Sequence, residues 1–354
     1  MKMPFIPGSL VGPIAFLGSG ETSLSGGRIF ESLAMDLPQP LRIAILETPA
    51  GFELNSDQVA GRVANFLKTR LQNFHPQVDV IPARKRGISF SPDNLEILAP
   101  LLHANLIFMG PGSPTYAVRQ LRGSHAWDIL RARHRSGTAL VFSSAAVVAV
   151  GAYTLPVYEV YKVGLDVHIQ PGLDLFADFC LPLSLIPHWN NADGGTDLDT
   201  SRCFVGKERY EEWYGQLPPR QTVVGLDEHT GLIMDLTSGE CHVIGVSSVT
   251  LVGGHEPKIF PAGSTFPMTE LGLFKIPEPP EAGISSDIWE LVQGAPSIVS
   301  APEEIPPEVR ALVEAHQQAR QRKDWAAADT LRIKINALGW LVQDTPEGPL
   351  INKK

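Results

Sequence analysis

Cysteine is scarce in this sequence. The 354 residues include three cysteines, Cys180, Cys203 and Cys241, which are odd in number and far apart along the chain. This spacing predicts neither a disulfide framework nor a metal cluster, and it is typical of proteins in a reducing compartment. We therefore expect a cytoplasmic protein that holds no metal.

Long hydrophobic runs and a surplus of positive charge are also lacking. No segment reaches the roughly 18 uninterrupted apolar residues of a membrane helix. Residues 1–10 have no long apolar core, so we expect no signal peptide. The 29 Lys and Arg residues and 38 Asp and Glu residues give a formal net charge of -9. That charge disfavours nucleic-acid binding through the electrostatic field of the whole protein, although a local basic patch could still bind. We expect no DNA partner and no membrane partner.

Two glycine-containing turns lack the residues of nucleotide-binding motifs. The Gly18–Gly20 turn has no third glycine of a dinucleotide fingerprint. The Gly110–Gly112 turn is not followed by the Gly-Lys-Ser or Gly-Lys-Thr of a P-loop. The sequence therefore gives little support to nucleotide binding, and we expect no cofactor.

Short apolar runs that alternate with helical periodicity fill the first half of the chain. Hydrophobic residues make up 44% of the sequence and charged residues 19%, which is ordinary for a soluble enzyme. The alternation predicts an α/β fold, with a mostly parallel sheet sandwiched by helices and ligands bound at the carboxyl ends of its strands. Residues 157–275 are richer in short β-like runs, which predict antiparallel additions to the same domain.

The composition predicts three parts of the chain. Residues 1–275 form the large domain, and residues 276–306 form a Pro-rich linker with one helical turn around Ile288–Leu291. Residues 307–354 form a small helical module with amphipathic stretches at 307–319 and 325–338. A unit of this size has a small core, so we expect it to dock on the large domain or on a partner.

One serine follows a strand-like run and opens a helical one. Ser144 lies between the apolar residues 138–143 and a run of small residues, as the nucleophile does in α/β hydrolases. The glycines that usually flank such a serine are replaced by Phe142 and Ala146. From this run alone, two interpretations stay open: a nucleophile elbow, or a buried strand-to-helix junction with an incidental serine.

A serine nucleophile needs a base, a group that orients the base, and donors for the oxyanion. His188 follows an apolar run and opens a polar loop, which suits a cleft, although a structural histidine is the alternative. Asp227 and Glu228 are adjacent acids after another strand-like run. They would point to opposite sides of a continuing strand, one towards the site and the other towards solvent. The oxyanion donors would be the N–H groups of Ala145 and Gly112, since Pro111 has none.

The order of these motifs resembles a known peptidase family. Residues 109–114, Ser144–Ala145, Pro187–Trp189 and Gly225–Glu228 are similar to the motifs of the aspartyl dipeptidase (dipeptidase E) and cyanophycinase family. The resemblance covers roughly residues 12–255. It implies a class I glutamine amidotransferase-like fold and serine exopeptidase activity.

The resemblance also implies roles for individual residues. Ser144 would be the nucleophile, His188 the base and Glu228 the group that orients the base, with Gly112 and Ala145 as the oxyanion hole. Family members prefer peptides with acidic residues near the scissile bond. Three residues are more weakly indicated as substrate contacts. Asn190 and Arg202 follow His188 in the chain, and Asp227 follows the strand-like run 222–226.

The tail carries a second resemblance. Residues 319–332 and 337–348 are similar to the small C-terminal segment of cysteinyl-tRNA synthetases, through Lys-Asp-Trp, Ala-Asp and Asp-Thr-Pro-x-Gly elements. The chain has neither a His-Ile-Gly-His-type nor a Lys-Met-Ser-Lys-Ser-type signature, so we expect no aminoacylation. Acidic and basic residues roughly balance in the tail, which weakens the case for tRNA as a partner. A reused helical docking module is the alternative.

These observations predict a serine hydrolase of the dipeptidase E or cyanophycinase type. It would act on small peptides through an acyl-enzyme, and a homodimer is a candidate assembly. The alternative is a non-catalytic amidotransferase-like binding protein whose C-terminal module recruits tRNA or a protein partner.

Overall fold

The structure, a computed structural model, describes residues 11–254, 256–295, 306–322, 324–345 and 348–353. The chain divides into two compact units, Met1–Ser297 and Ile298–Lys354. The segment for which we expected no signal peptide, residues 1–10, lies outside the described residues.

The strands of the described residues are short, most of them four to six residues long. In chain order they are β1 (Ile14–Leu17), β2 (Arg42–Leu46), β3 (Gln77–Ile81), β4 (Leu106–Met109), β5 (Ala139–Ser143), β6 (Tyr153–Thr154), β7 (Gln170–Pro171), β8 (Leu183–Ile186), β9 (Thr222–Leu226), β10 (Thr230–Asp235), β11 (Glu240–Gly245), β12 (Ser248–Val252), β13 (Lys258–Pro261), β14 (Thr265–Pro267), β15 (Trp340–Thr345) and β16 (Gly348–Lys353).

The α-helices range from four to fifteen residues. They are α1 (Leu24–Asp36), α2 (Ser56–Arg70), α3 (Leu95–Leu98), α4 (Pro114–Leu121), α5 (His125–His134), α6 (Ala145–Ala149), α7 (Lys207–Gly215), α8 (Ser286–Gly294), α9 (Pro307–Gln321) and α10 (Trp325–Ala337). Shorter helical segments are a π-helix, Glu159–Val163, and 3₁₀ turns at Thr48–Ala50, Gln72–Phe74, Ala99–His103, Leu175–Phe179 and Met268–Glu270.

The first unit is built on an eight-stranded sheet. Its strand order is β14-β11-β10-β1-β5-β4-β2-β3. The five strands from β1 to β3 in that order pair in parallel, while β10, β11 and β14 add on antiparallel. Strands β1, β4 and β5 are buried along their whole length, as expected where helices cover both faces of a sheet. The predicted α/β architecture is confirmed.

Helices cover the two faces of this sheet. Phe16 belongs to the core on one face, which includes residues of α4, α5 and α6, whereas the adjacent Leu17 belongs to the core on the other face, with residues of α1 and α2. Consecutive strand residues point to opposite sides, so the apolar runs of the sequence fill both cores at once.

A second sheet brings two polar loops to one edge. Its order is β13-β12-β9-β8, and β8 and β9 run parallel. The residues that follow these two strands, including His188 and Glu228, therefore leave the sheet at the same end. Gly225 of β9 allows this packing, since a Cβ there would lie 2.3 Å from the Trp189 ring.

Part of the predicted linker packs against the first unit. The predicted single turn around Ile288–Leu291 is the nine-residue helix α8, and its Ile288 and Val292 join the core. Arg135 adds two hydrogen bonds to the carbonyl oxygens of Pro280 and Ala282, both 2.6 Å long. Residues 276–295 thus have contacts of their own, while residues 296–305 of the predicted linker lie outside the described part of the chain.

The second unit contains the two predicted helices and a hairpin that the sequence analysis missed. The hairpin pairs β15 with β16 antiparallel. Trp340 and Val342, two residues apart on β15, join Val309, Val313 and Ile335 in a small core. The alternation of Trp340 and Val342 after Gly339 was the available signal for a strand.

Candidate active site

Ser144 lies on a strained turn between β5 and α6. Its φ is 51° and its ψ is -118°, a conformation that costs a non-glycine residue on the order of 1–3 kcal/mol. The turn is held on both sides. Phe142 stacks on Phe16 of the neighbouring strand at 5.7 Å, and the fully buried Ala146 donates its N–H to the Gly110 carbonyl at 3.3 Å. A serine elbow therefore forms here without the usual glycines.

His188 lies within hydrogen-bond distance of Ser144. The Nε2 atom of its ring is 3.1 Å from Ser144 Oγ, and its Nδ1 atom is 3.0 Å from Glu228 Oε1. An ionised carboxylate only accepts, so Nδ1 carries the proton and donates to Glu228. The Nε2 lone pair is then free to accept the Ser144 proton, which is the arrangement a general base requires.

Two adjacent asparagines hold Glu228. Asn191 donates from Nδ2 to Glu228 Oε1 at 2.8 Å, and the side-chain oxygen of Asn190 accepts the Glu228 N–H at 2.8 Å. Asn191 is buried, and the sequence analysis did not select it. Its position directly after the strand-end histidine was the signal that could have identified it. Asn190 contacts the backbone of Glu228, and its substrate contact stays a prediction.

The neighbouring acid, Asp227, faces the protein rather than the site or solvent. Its carboxylate accepts a hydrogen bond from the Ser247 hydroxyl at 2.6 Å and from the Ser248 N–H at 3.1 Å. The two acids do diverge, as expected for adjacent residues at a strand end. The expectation that one of them points to solvent is not met, because β12 lies beside β9 and supplies donors.

A left-handed stretch of backbone packs on His188. Arg202, Cys203 and Phe204 have φ values of 59°, 61° and 70°. The Cys203 N–H donates to the His188 carbonyl at 3.1 Å, and the Phe204 ring lies 5.2 Å from the imidazole. Burial, with a smaller effect of Glu228, raises the pKa of the Cys203 thiol to about 12, so this thiol stays neutral beside the site.

Arg202 is directed at the protein in this structure. Its guanidinium lies over the Trp189 ring at 3.8 Å and donates from Nη1 to the Trp189 carbonyl at 2.7 Å. Burial lowers the pKa of Arg202, with nearby acidic groups opposing the shift. Its substrate contact stays a prediction.

Two backbone N–H groups beside Ser144 are without acceptors among the described residues: those of Gly112 and Ala145. Gly112 has a φ of 144°, and a Cβ there would lie 2.0 Å from the Pro49 carbonyl oxygen. Only glycine fits this turn. The hydrogen bond from Ala146 to Gly110 joins the Gly112 turn to the Ser144 turn, so both free donors border one site.

The first glycine-containing turn also borders the site. The Gly18 carbonyl accepts the His188 N–H at 3.0 Å, and the Ser19 hydroxyl accepts the His229 N–H at 3.0 Å. Glu21 accepts a 2.9 Å hydrogen bond from Ser143, the residue before Ser144. From the sequence, this turn is an incomplete nucleotide-binding motif. Its place at the end of β1 was the signal that it belongs to the site.

A cavity of about 680 Å³ adjoins the Gly112 turn through Ser113. It is lined by Phe52, Arg86, Ser113, Thr115, Tyr116, Val118, Arg119, Arg122, Tyr158, Glu159, Gln170 and Pro171. None of the predicted substrate contacts is among these residues. Burial, followed by the nearby Glu53 carboxylate, raises the pKa of Tyr158 in this wall.

In the described part of the chain, no three His, Cys, Asp or Glu side chains are grouped so as to hold a metal ion. Among the same residues, no helix has the length and apolar content needed to cross a membrane.

The tail is similar to part of the cysteine–tRNA ligases. Residues 303–348 match the cysteinyl-tRNA ligase anticodon binding domain. The enzyme of Methanosarcina acetivorans is 55% identical over 51 residues, which are 14% of this chain and 11% of that protein. The enzyme of Chlamydia felis is 46% identical over 54 residues, 15% of this chain and 11% of that protein. The chain thus spans about a tenth of the length of these relatives, and the predicted resemblance of the tail is confirmed.

The remainder of the chain is similar in fold to a solved peptidase. The crystal structure of a peptidase from an acI-B1 Actinobacterium superposes with a TM-score of 0.58 over 73% of this chain and 97% of that protein, at 19% sequence identity. The superposition establishes a shared fold, and at this low sequence identity it establishes the fold alone. The chain therefore combines an α/β unit whose fold is shared with that solved peptidase and a short segment that resembles the anticodon binding domain of cysteinyl-tRNA ligase.

Proposed function

We propose that this chain is a serine peptidase that cleaves small peptides through an acyl-enzyme. The observation that carries the proposal is the continuous hydrogen-bonded series from Ser144 Oγ through the His188 ring to Glu228. The free N–H groups of Gly112 and Ala145 and the peptidase fold support it. Exopeptidase specificity, with dipeptides as substrates in the manner of dipeptidase E or cyanophycinase, is the finer part of the same proposal.

In the first half of the reaction, Ser144 Oγ attacks the scissile carbonyl carbon while His188 Nε2 takes the hydroxyl proton. The carbonyl oxygen becomes an oxyanion, which accepts hydrogen bonds from the Gly112 and Ala145 N–H groups. Glu228 stabilises the imidazolium that forms. His188 then gives its proton to the leaving amine, the C–N bond breaks, and the acyl group stays on Ser144.

In the second half, a water molecule attacks the acyl carbon and gives a proton to His188. The oxyanion of the tetrahedral intermediate again accepts hydrogen bonds from the two N–H groups. Collapse of this intermediate breaks the ester bond to Ser144. His188 returns the proton to Ser144 Oγ, and the carboxylic acid product leaves. The strained backbone of Ser144 keeps Oγ clear of the helix, so the same atom serves both halves.

Covalent labelling tests this proposal. A fluorophosphonate probe should label the wild-type chain at Ser144, and a panel of dipeptides should be turned over. Ser144→Ala should label no more than background and lose at least about a thousandfold in kcat/KM, because the triad members act as a unit. A folded wild-type chain that never labels and turns over no peptide would contradict the proposal.

A second function rests on the second unit. We propose tRNA binding there because residues 303–348 match an anticodon binding domain and the exposed Trp325 ring lies beside Arg320, at 5.6 Å. Aromatic rings and guanidinium groups stack on unpaired bases. Fluorescence polarisation with bulk tRNA should show binding that weakens with salt and is lost in a chain that ends at Pro307. Equal binding by that shortened chain would place the contact elsewhere.

A further inference from the structure

The cavity beside the Gly112 turn carries an arginine with no acidic partner. Three arginines and one glutamate line it. Arg122 donates to the carbonyls of Pro171 and Gly172, and Arg86 lies 3.4 Å from Asp93. Arg119 is exposed, and its guanidinium carbon lies 5.1 Å from the centre of the Tyr116 ring. No hydrogen bond or ion pair joins it to another described residue. Its hydrogen-bond donors are thus available to a ligand.

The one carboxylate of the lining does not neutralise Arg119. Glu159 accepts a 2.5 Å hydrogen bond from Thr115 through Oε1, and it forms no ion pair within 4.0 Å of any described cation. Its Oε2 atom is buried. Glu159 therefore belongs to the cavity wall, and the cavity presents a net positive charge to whatever enters it.

The position of Arg119 suits a group one or two residues from the scissile bond. Helix α4 starts at Pro114, directly after Ser113, and packs against the helix that Ser144 opens. Arg119 is the sixth residue after Ser113 along the helix, a rise of about 9 Å. Helical side chains lean towards the helix N-terminus, so the guanidinium reaches back towards the Gly112 turn. Two extended peptide residues span about 7 Å.

We propose that Arg119, oriented by Tyr116, binds a carboxylate of the peptide substrate in this cavity. A guanidinium pairs with a carboxylate through two parallel hydrogen bonds. The Tyr116 ring beside the Arg119 guanidinium already restricts its orientation, so less conformational entropy is lost when a carboxylate binds. The carboxylate is either the C-terminal group of a short peptide or an acidic side chain, and both have this chemistry. The proposal rests on the proposed peptidase function for the identity of the ligand as a peptide.

Binding can be measured apart from turnover. Calorimetric titration of the Ser144→Ala chain with Ala-Ala and with Ala-Ala amide reports recognition of the C-terminal carboxylate. Titration with Asp-Ala amide and Asn-Ala amide reports recognition of an acidic side chain. At least one acid should bind more tightly than its amide, and the pair that differs identifies the source of the carboxylate.

Arg119→Gln should reduce that acid-to-amide preference by roughly 10- to 100-fold, the range expected for one charge-assisted contact. Arg119→Lys should keep part of the preference. Arg62→Gln, which removes the same charge from the exposed face of α2, should keep all of it. Thermal unfolding of each variant checks that the fold is intact.

The outcomes separate the two proposals. If acids and amides bind equally, or Arg119→Gln weakens both equally, the role of Arg119 is wrong. Failure of every carboxylate-bearing peptide to bind at millimolar concentration also overturns it. If the wild type never labels with the fluorophosphonate but binds acids through Arg119, the peptidase proposal fails and the carboxylate site stands.

Discussion

Asn191 holds the carboxylate of Glu228, and Asn190 holds the backbone of the same residue. One asparagine donates to the carboxylate and the other accepts the N–H of the same residue. A partly exposed carboxylate on the loop after β9 would otherwise sample many rotamers. Held in this way, Glu228 keeps the His188 ring in the orientation that leaves Nε2 directed at Ser144. The two asparagines therefore act on the chemistry through other residues.

We expect Asn191→Ala to lower kcat/KM by roughly tenfold or more, because a hydrogen bond to a charged group is lost from a buried position. Steady-state kinetics on the best dipeptide would measure the effect, with Asn65→Ala on the exposed face of α2 as the control. Unchanged kcat/KM in Asn191→Ala would mean that Glu228 needs no second support.

Gly112 shows how one turn depends on one residue type. Its φ of 144° is strained for any residue with a side chain, and the Pro49 backbone occupies the place of a Cβ. Gly61 in α2 offers a contrast, because a Cβ there would meet nothing within 4 Å.

Gly112→Ala should destabilise the fold by about 1–3 kcal/mol or more and abolish labelling of Ser144, because the turn must move. Gly61→Ala should stabilise the fold by roughly 0.5–1 kcal/mol with labelling intact. Chemical denaturation with fluorophosphonate labelling would test both. Normal labelling of a Gly112→Ala chain would exclude its N–H from the oxyanion hole.

The end of α5 is joined to the segment before β1 through His134. The fully buried ring lies 2.8 Å from the Gly12 carbonyl through Nε2, and the His134 carbonyl accepts the Gly12 N–H at 2.8 Å. Burial lowers the pKa of His134 from 6.5 to about 4, more than the Gly12 hydrogen bond raises it.

Between pH 6.5 and about 4, the unfolded chain binds a proton at this position that the folded chain does not. The free energy of unfolding should therefore fall as the pH drops through this range, by an amount on the order of 3 kcal/mol. His134→Gln keeps an N–H donor without titrating, so its stability should depend less on pH. Denaturant melts at pH 7 and pH 4.5 would compare the two chains, and identical pH slopes would refute the assignment to His134.

At the scale of the whole molecule, the chain joins a large unit with a deep core to a small one with a thin core. The buried residues of the second unit are few: Val309, Val313, Ile335, Trp340 and Val342 dominate its cluster. A core of this size gives a small margin of stability.

Trp340→Ala should unfold the second unit alone, since losing a buried tryptophan costs about 3–5 kcal/mol. Peptide turnover should stay within about twofold of wild type, because every residue of the proposed triad belongs to the first unit. Calorimetry alongside peptide kinetics would test this, with Ile333→Ala at an exposed position as the control. A loss of turnover in Trp340→Ala would show that the units are coupled.

The fold class and the candidacy of Ser144 and His188 came from local patterns, whereas the choice of Glu228 over Asp227 came from the resemblance to the peptidase family. Apolar runs with helical periodicity between them predicted the layered architecture, because a strand that is buried on both faces consists almost entirely of hydrophobic residues. The hairpin of the second unit was missed because its strands follow two strongly periodic helices. Asn191, Glu21 and Arg119 were missed because their roles arise between segments that are distant in sequence.

The sequence by itself determined that Ser144 follows a buried strand and opens a helix, and that Asp227 and Glu228 point to different sides. It left open which acid meets His188 and whether a turn between Phe142 and Ala146 presents a serine. Tertiary structure decided both. Ser247 and the first residue of β12, Ser248, supply donors that hold Asp227, while Asn191 and His188 contact Glu228. The elbow forms because Phe142 packs on Phe16 and Ala146 is anchored to Gly110. Such contacts join residues far apart in the chain, and no local pattern encodes them.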